Sequence, residues 1–377
     1  MNNDKLRNKY KEFADKFIEP YAENNEINGV LNKNIIDKLS EEKYIGAIVS
    51  TQYGGLNLSM KEIALLVEEV GRTSSATRNL LTVHGMVQSA IERFGTKDQK
   101  EKWLPKTTNG DTICAFALSE PDVGSDAKNI KTTAVKTDGG YIINGEKNWI
   151  TMGQIASLYL VFTKVEDKIT AFLIDRETEG LEVNPISNIA GLRGSMLAKL
   201  KFSNCFVSKE NMLGQIGIGF NFIATYCLNY GRYTVALGSV GLAQACLDEC
   251  LKYSSEREQF GKKINENQLI KKMLTEMIVN IQASRLLCQY SGELYYAQDP
   301  EYVMQIWSAK YMATKTLTRV ANDAVQIFGA KGLCSDYKIE RLYRASKVNE
   351  IIEGTTQMHE ILIANHVINR SGFYCEN

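Results

Sequence analysis

The sequence predicts an α+β protein in which a helical, a β and a second helical segment follow one another, and three observations carry that expectation. Up to about residue 109 the apolar residues recur at three- and four-residue spacing, as in Ile63, Leu66, Val67 and Val70, which is the period of an amphipathic helix. Between roughly residues 112 and 213, short β-rich runs such as YIINGEKNWI, SLYLVFTKV and KITAFLID are separated by Gly, Asn and Asp turns. From residue 219 a long helical period returns and continues almost to the end of the chain. The expected units are an N-terminal α-helical domain (1–111), a central β-sheet domain (112–216) and a C-terminal bundle of long helices (217–377).

Taken in order, the first unit is helical because patterns such as Val83, Val87, Ala90, Ile91 and Phe94 repeat. The third unit is expected to hold one helix through FNFIATYCLNYGRYTVALGSVGLAQACLDECLKYSSEREQF, others near 268–298 and 302–328, and a last one from Thr355. Strands and helices do not alternate, so a doubly wound sheet is disfavoured. No G-x-G-x-x-G follows a strand, no phosphate-binding G-x-x-x-x-G-K-[ST] is present, and GQIGIGFN reads as a flexible helix entry.

The 377 residues suffice for two or three packed domains. Lys plus Arg and Asp plus Glu each total 44, which leaves no net field to attract nucleic acid or an anionic membrane, so neither is an expected partner. The first thirty residues lack the apolar core of a signal peptide, and no run of about 18 apolar residues occurs, so a cytoplasmic protein is expected. The eight cysteines (Cys114, Cys205, Cys227, Cys246, Cys250, Cys288, Cys334 and Cys375) form no C-x-x-C pair and read as reduced thiols. His84, His359 and His366 lack zinc-motif spacing, so no metal is expected, and each reads as a structural or surface residue.

Five stretches can carry chemistry. ALSEPDVGSD (117–126) offers Ser119, Ser125 and their amides beside Gly124, either to ligand oxygens or simply to solvent. In NGEKNWITMG, Trp149 and Thr151 are expected to share one side of an extended segment, as a planar-ligand face or as part of the core. SSEREQFGKKINENQ joins two long helices and presents Arg257 and Phe260 before Gly261, read as a helix stop, then Gln268; the arginine can serve a phosphate or a surface ion pair. QIFGAKGLCSD contains Gln326, Gly329 and Gly332 at a helix end. In NEIIEGTTQ, Glu353 precedes a helix that Thr355 and Thr356 can cap. The helix dipole favours its carboxylate and the neighbouring isoleucines favour its neutral form, so it is either a poised base or part of the cap. Glu350 reads as a surface or salt-bridging residue.

Together VSTQYGG, LSEPDVGSD, NGEKNWIT, GLRGS, NYGR, REQFGK, AVQIFGAKG and EGTTQ, in this order, resemble the acyl-CoA dehydrogenase superfamily from about Tyr44 to Val367. The resemblance implies a C-terminal four-helix bundle and FAD held non-covalently against the β domain. It implies Glu353 as the base that removes an α-proton while hydride leaves to flavin N5, with Arg232 shaping its surroundings and Gly231 where some relatives carry an alternative glutamate. Phe116, Leu118, Ser119, Gly124, Ser125, Trp149 and Thr151 are implied along the flavin, and Thr355 and Gln357 on its adenosine side. Arg257, Phe260, Gln268, Gln326 and Gly329 are implied contacts to a neighbouring subunit's cofactor, so a homodimer or homotetramer is expected. Ser125, Asn229, Tyr230, Arg232 and Gly354 are implied in substrate binding.

Ala330 replaces a common glycine, Ile352 an aromatic, and Asn229 an aspartate that often helps to hold coenzyme A. LLTVHGMV, NYGR, REQFG, ERLYRASK and EIIEG are similar to a branch acting on acyl groups of acyl carrier protein in polyketide extender-unit biosynthesis. The expected substrate is thus a short acyl thioester on carrier protein, oxygenated where that branch is followed, with a butyryl-CoA-like dehydrogenase as the alternative and a non-catalytic flavoprotein relative as a remote one. Electron-transfer flavoprotein and oxygen are both open as electron acceptors.

Overall fold

The computed structural model describes residues 3–370, so Cys375 lies outside them. Helices α1 (Asn3–Phe17), α2 (Glu19–Asn28), α3 (Lys33–Glu41), α4 (Met60–Thr73), α5 (Ser75–Phe94) and α6 (Lys97–Thr108) precede the sheet. Their starts follow local chemistry. Ser59 with Glu62, and Thr96 with Gln99, form reciprocal capping boxes that satisfy amides left open at the first turn of α4 and α6. The α5 helix is buried from Ser75 to Ile91, and its Arg78 and His84 are enclosed with its apolar residues.

Strands β1 (Cys114–Ala117), β2 (Thr133–Thr137), β3 (Gly140–Ile150), β4 (Leu158–Val165), β5 (Lys168–Asp175), β6 (Leu181–Pro185), β7 (Ala198–Ser208) and β8 (Met212–Leu213) form one sheet. Its order is β6-β7-β3-β2-β4-β5-β8, with β1 parallel to β4. Because side chains alternate across a strand, β4 serves two cores: Leu158, Leu160 and Phe162 face the helices, while Tyr159, Val161 and Val165 pack within the sheet domain. In β5, Ala171 and Leu173 face the helices while Phe172 and Ile174 face inward. Burying Phe162 or Phe172 contributes roughly 1.5–3 kcal/mol each.

A short π-helical turn (Gly219–Ala224) leads into α7 (Thr225–Glu256). A hairpin of β9 (Glu258–Gln259) and β10 (Lys262–Lys263) follows, then α8 (Gln268–Tyr296), α9 (Tyr302–Phe328), α10 (Lys338–Ile351) and α11 (Thr356–Arg370). Helix α9 packs against α7, α8, α10 and α11. The α10 helix buries Ile339, Leu342 and Ala345 in the core, and ion pairs dock its charged side. Arg341 pairs with Glu23, Lys338 with Glu19, and the Arg341 Nη1 donates to the Thr73 carbonyl.

Two local expectations change. Gly261 is not a helix stop. It follows Phe260 at the tip of the β9–β10 hairpin, where both residues have positive φ (54° and 74°), the backbone that a tight hairpin turn requires. Trp149 does not sit on regular extended backbone: the β3–β7 register shifts between Lys147 and Ile150, Trp149 takes φ 61°, and the strand ends at Ile150. Thr151 therefore begins a turn. Among the described residues seven cysteines are free, and Cys334 is the exposed one of these. No helix among the described residues is long and apolar enough to cross a membrane.

Candidate active site

Glu353 occupies the short turn between α10 and α11, with φ 56°, followed by Gly354 at φ 98°. A left-handed backbone costs a residue bearing a side chain about 1–2 kcal/mol, so the surrounding groups must hold it. Arg232 on α7 does so by donating its Nε–H to the Glu353 carbonyl at 3.2 Å. The Thr355 hydroxyl accepts from the Met358 amide at 3.3 Å and caps α11, while the His359 amide donates to the Thr355 carbonyl.

The carboxylate is aimed at α7. A Cβ placed on Gly231 would lie 2.6 Å from the Glu353 Oε2 and 3.0 Å from the Met86 Sδ, so glycine at this position leaves the acid its space. The Oε2 is buried and has no hydrogen-bond partner. Burial pushes the Glu353 carboxyl up to about 7, against the opposing pull of Arg232, Lys310 and Arg78. A carboxylate poised there can accept a proton near neutral pH.

Three cations from three helices therefore serve one acid. Arg78 on α5 is fully buried and donates to the Asn349 Oδ1 of α10; burial lowers it to about 9, opposed by Glu353. Arg232 also stands over the Trp307 ring, 5.9 Å from its centre. Lys310 on α9 is fully buried. Neither Arg78 nor Lys310 stood out in the sequence, since each lies inside an otherwise ordinary helical pattern. Glu350, by contrast, pairs with Lys347.

The implied substrate-side residues lie close by on α7. Asn229 is buried, with its Oδ1 unpartnered, and the Tyr230 ring fills the space that a Cβ on Gly85 of α5 would take. Burial raises the Tyr230 phenol above its ordinary range.

A second group of residues meets at the sheet. The Asn148 amide donates to the Ser119 carbonyl at 2.9 Å, which docks the 118–126 loop on the end of β3. A buried ion pair locks this junction: the Lys147 Nζ lies 2.7 Å from the Glu120 Oε1 and donates to the Leu118 carbonyl. Glu120 also accepts from the Thr132 hydroxyl and from the amides of Lys131 and Thr132. Burial works against the Glu120 carboxylate, but Lys147 and these donors hold it below its usual range. Both members stand inside the LSEPDVGSD and NGEKNWIT motifs, and that shared membership was the signal that could have paired them. The frame leaves Trp149 55% exposed, with Gly124 and Ser125 also exposed and Phe116 tilted against Phe162. Leu118 is buried beneath them.

The third group lies at the far end of the bundle. Stacking of Tyr253 on Phe328, with ring centres 4.1 Å apart, joins the ends of α7 and α9. Arg257, Gln268, Gln326 and Gly329 are exposed there, and Phe260 is 97% exposed. Along a straight helix at 1.5 Å per residue, Arg257 stands about 37 Å from Arg232, so one chain does not bring this group to Glu353.

Family models for the acyl-CoA dehydrogenase N-terminal, middle and C-terminal domains match residues 2–111, 115–205 and 217–368. An acyl-CoA dehydrogenase of Bacillus subtilis (strain 168) is 35% identical over 369 residues, covering 96% of this chain and 97% of the relative. The solved butyryl-CoA dehydrogenase of Megasphaera elsdenii superposes with TM-score 0.93 at 31% identity, covering 97% of this chain and 98% of its own. The solved prolyl acyl carrier protein oxidase AnaB does so with TM-score 0.93 at 26% identity, over 97% and 99%.

Proposed function

The chain belongs to the acyl-CoA dehydrogenase family of FAD-dependent oxidoreductases acting on acyl thioesters, and on that premise we propose that it oxidises a short acyl group carried by acyl carrier protein, in secondary metabolism. The observation that carries the catalytic part is the Glu353 carboxylate, raised to about 7, unpartnered at Oε2 and facing Gly231. Glu353 takes the α-proton, its backbone N–H donates to the thioester oxygen on which charge develops, and Gly354 lets the backbone come close to the thioester. Bound FAD supplies the hydride acceptor.

The residues present suit that cofactor. Trp149 offers an exposed aromatic face beside Thr151, and the Thr356 hydroxyl at the start of α11 is buried without a partner. Phe116, Leu118, Ser119, Gly124 and Ser125 line the same junction, and Thr355 and Gln357 lie at the N-terminus of α11, where partial positive charge favours phosphate. Arg257, Phe260, Gln268, Gln326 and Gly329 would complete the site of a second subunit, in a homodimer or homotetramer. Exposed Leu269, Val279, Leu286 and Tyr290 on α8 support such an assembly. Electron-transfer flavoprotein is the proposed acceptor, in the cytoplasm.

The carrier-protein reading draws on Asn229, which replaces an aspartate that can hold coenzyme A, and on the likeness to the prolyl carrier protein oxidase. The higher identity to butyryl-CoA dehydrogenase favours a second reading, a short-chain acyl-CoA dehydrogenase. Anaerobic mixing of the yellow protein with the same acyl group on carrier protein and on coenzyme A separates them. Faster flavin bleaching by the carrier thioester is expected; faster bleaching by the coenzyme A thioester overturns the carrier reading.

A further inference from the structure

Lys310 is an unusual residue to find where it is. Its neighbours on α9 include buried Ala309, Ala313 and Leu317, and its own side chain is fully enclosed. Burying an ammonium costs several kcal/mol unless hydrogen bonds and nearby charge offset that cost. Here the Nζ donates to the Gly354 carbonyl at 2.6 Å and to the Glu350 carbonyl at 3.1 Å. The first acceptor follows Glu353. The second belongs to the last turn of α10, where carbonyls lack intrahelical partners and cations are favoured.

We propose that Lys310 is a positioning residue for the base: its ammonium ties the end of α10 to the Gly354 carbonyl and closes the turn that holds Glu353 in left-handed backbone above Gly231. The clamp works together with Arg232, since consecutive carbonyls, 353 and 354, are held by cations from α7 and α9. With the Thr355 carbonyl held by His359, this turn has no slack in which the carboxylate could drift. Such over-determination is what a strained residue needs to persist. It also suits proton abstraction, where a misplacement of about 1 Å can cost about a hundredfold in rate.

Lys310 also acts through charge. The groups that interact electrostatically around this turn are Arg78 from α5, Arg232 and Cys227 from α7, Lys310 from α9, Glu350 from α10 and His359 from α11. Burial lowers the Lys310 ammonium to about 7, with Glu353 opposing that shift; where it is protonated it favours the Glu353 carboxylate, so its loss raises the pH at which the base becomes available. The role rests on Glu353 being the base, but the clamp itself can be read independently of catalysis.

The test is hydrogen exchange of the 350–357 segment by mass spectrometry on the FAD-loaded protein, followed with pH profiles of flavin bleaching. The amides of the turn itself are left without acceptors among the described residues, so its protection reports burial and rigidity: in the unaltered protein the segment is expected to exchange at least about tenfold more slowly than an open loop, and exchange at the rate of an open loop overturns the clamp. In Lys310→Met, exchange of the segment rises about tenfold or more, kcat falls far more than KM changes, and the bleaching midpoint moves up by about one pH unit. Lys310→Gln, which keeps a neutral donor, is expected to recover part of the protection but none of the midpoint shift. Unchanged exchange and midpoint in either folded variant overturn the proposal. Increased exchange with an unmoved midpoint overturns its electrostatic half and, if Glu353→Gln also bleaches normally, identifies the base assignment as the fault.

Discussion

The turn at Glu353 and the bundle end at Arg257 and Phe260 are built on opposite plans. The first is closed: its carbonyls are held by buried Arg232, Lys310 and His359, and the acid faces a glycine that leaves room for little else. The second is open, with Phe260 almost wholly in solvent at the tip of a two-residue hairpin turn. On the proposed function, the contrast separates a turn whose geometry one chain sets by itself from a bundle end whose exposed residues call for another surface. The sheet junction is intermediate, internally locked by Lys147 and Glu120 yet presenting Trp149 outward.

The largest expected effect breaks the lock at the sheet. Lys147→Met leaves Glu120 buried without its cation, and breaking such a pair costs about 3–5 kcal/mol. Chemical denaturation should show that loss, together with weakened FAD retention. Stability within 1 kcal/mol of the parent, roughly the scatter of surface substitutions, would mean that the junction is not held by this pair.

Gly231→Ala tests the closed plan more selectively. Alanine favours helix over glycine by about 1 kcal/mol, but the new Cβ meets the Glu353 carboxylate at 2.6 Å in a turn without slack, so overpacking is expected to cost about 1–3 kcal/mol while it displaces the acid. Flavin bleaching is expected to slow by about a hundredfold in protein that still folds and keeps its FAD. An unaltered rate would show that the acid does not work from this position. The smallest effect belongs to the open end: Phe260→Ala should leave monomer stability unchanged within about 0.5 kcal/mol while weakening FAD retention and subunit association, read by sedimentation. Full retention of both would remove Phe260 from the intersubunit contact.

Much of this was legible in the residues, and the gaps have physical causes. The helix–sheet–helix order followed from a change of apolar period, and the motif holding Glu353 and Gly354 announced a turn before a capped helix. The α10 helix is less legible because its apolar stripe of Ile339, Leu342 and Ala345 is short and interleaved with charged residues, of which Lys338 and Arg341 add ion pairs to its anchoring. Lys310 and Arg78 were invisible because a buried cation and a solvated one look alike in a linear pattern; only their carbonyl and amide partners distinguish them. Trp149 was placed on regular strand because a register shift leaves no period of its own, and its exposure depends on that shift.

Stopped-flow bleaching of Glu353→Gln against the parent across pH 5 to 9, under anaerobic conditions with an acyl thioester substrate, tests the role of Glu353 most directly. In the parent, burial raises the carboxyl to about 7, so the acid is protonated and idle below that value and available above it, and the rate should climb through a midpoint near 7. Glutamine fills the same space without accepting the proton, so the variant should keep its bound FAD and lose about 10²–10⁴-fold in rate at every pH. A variant that bleaches at the parent rate, with the same rise through pH 7, would contradict the assignment of Glu353 as the base.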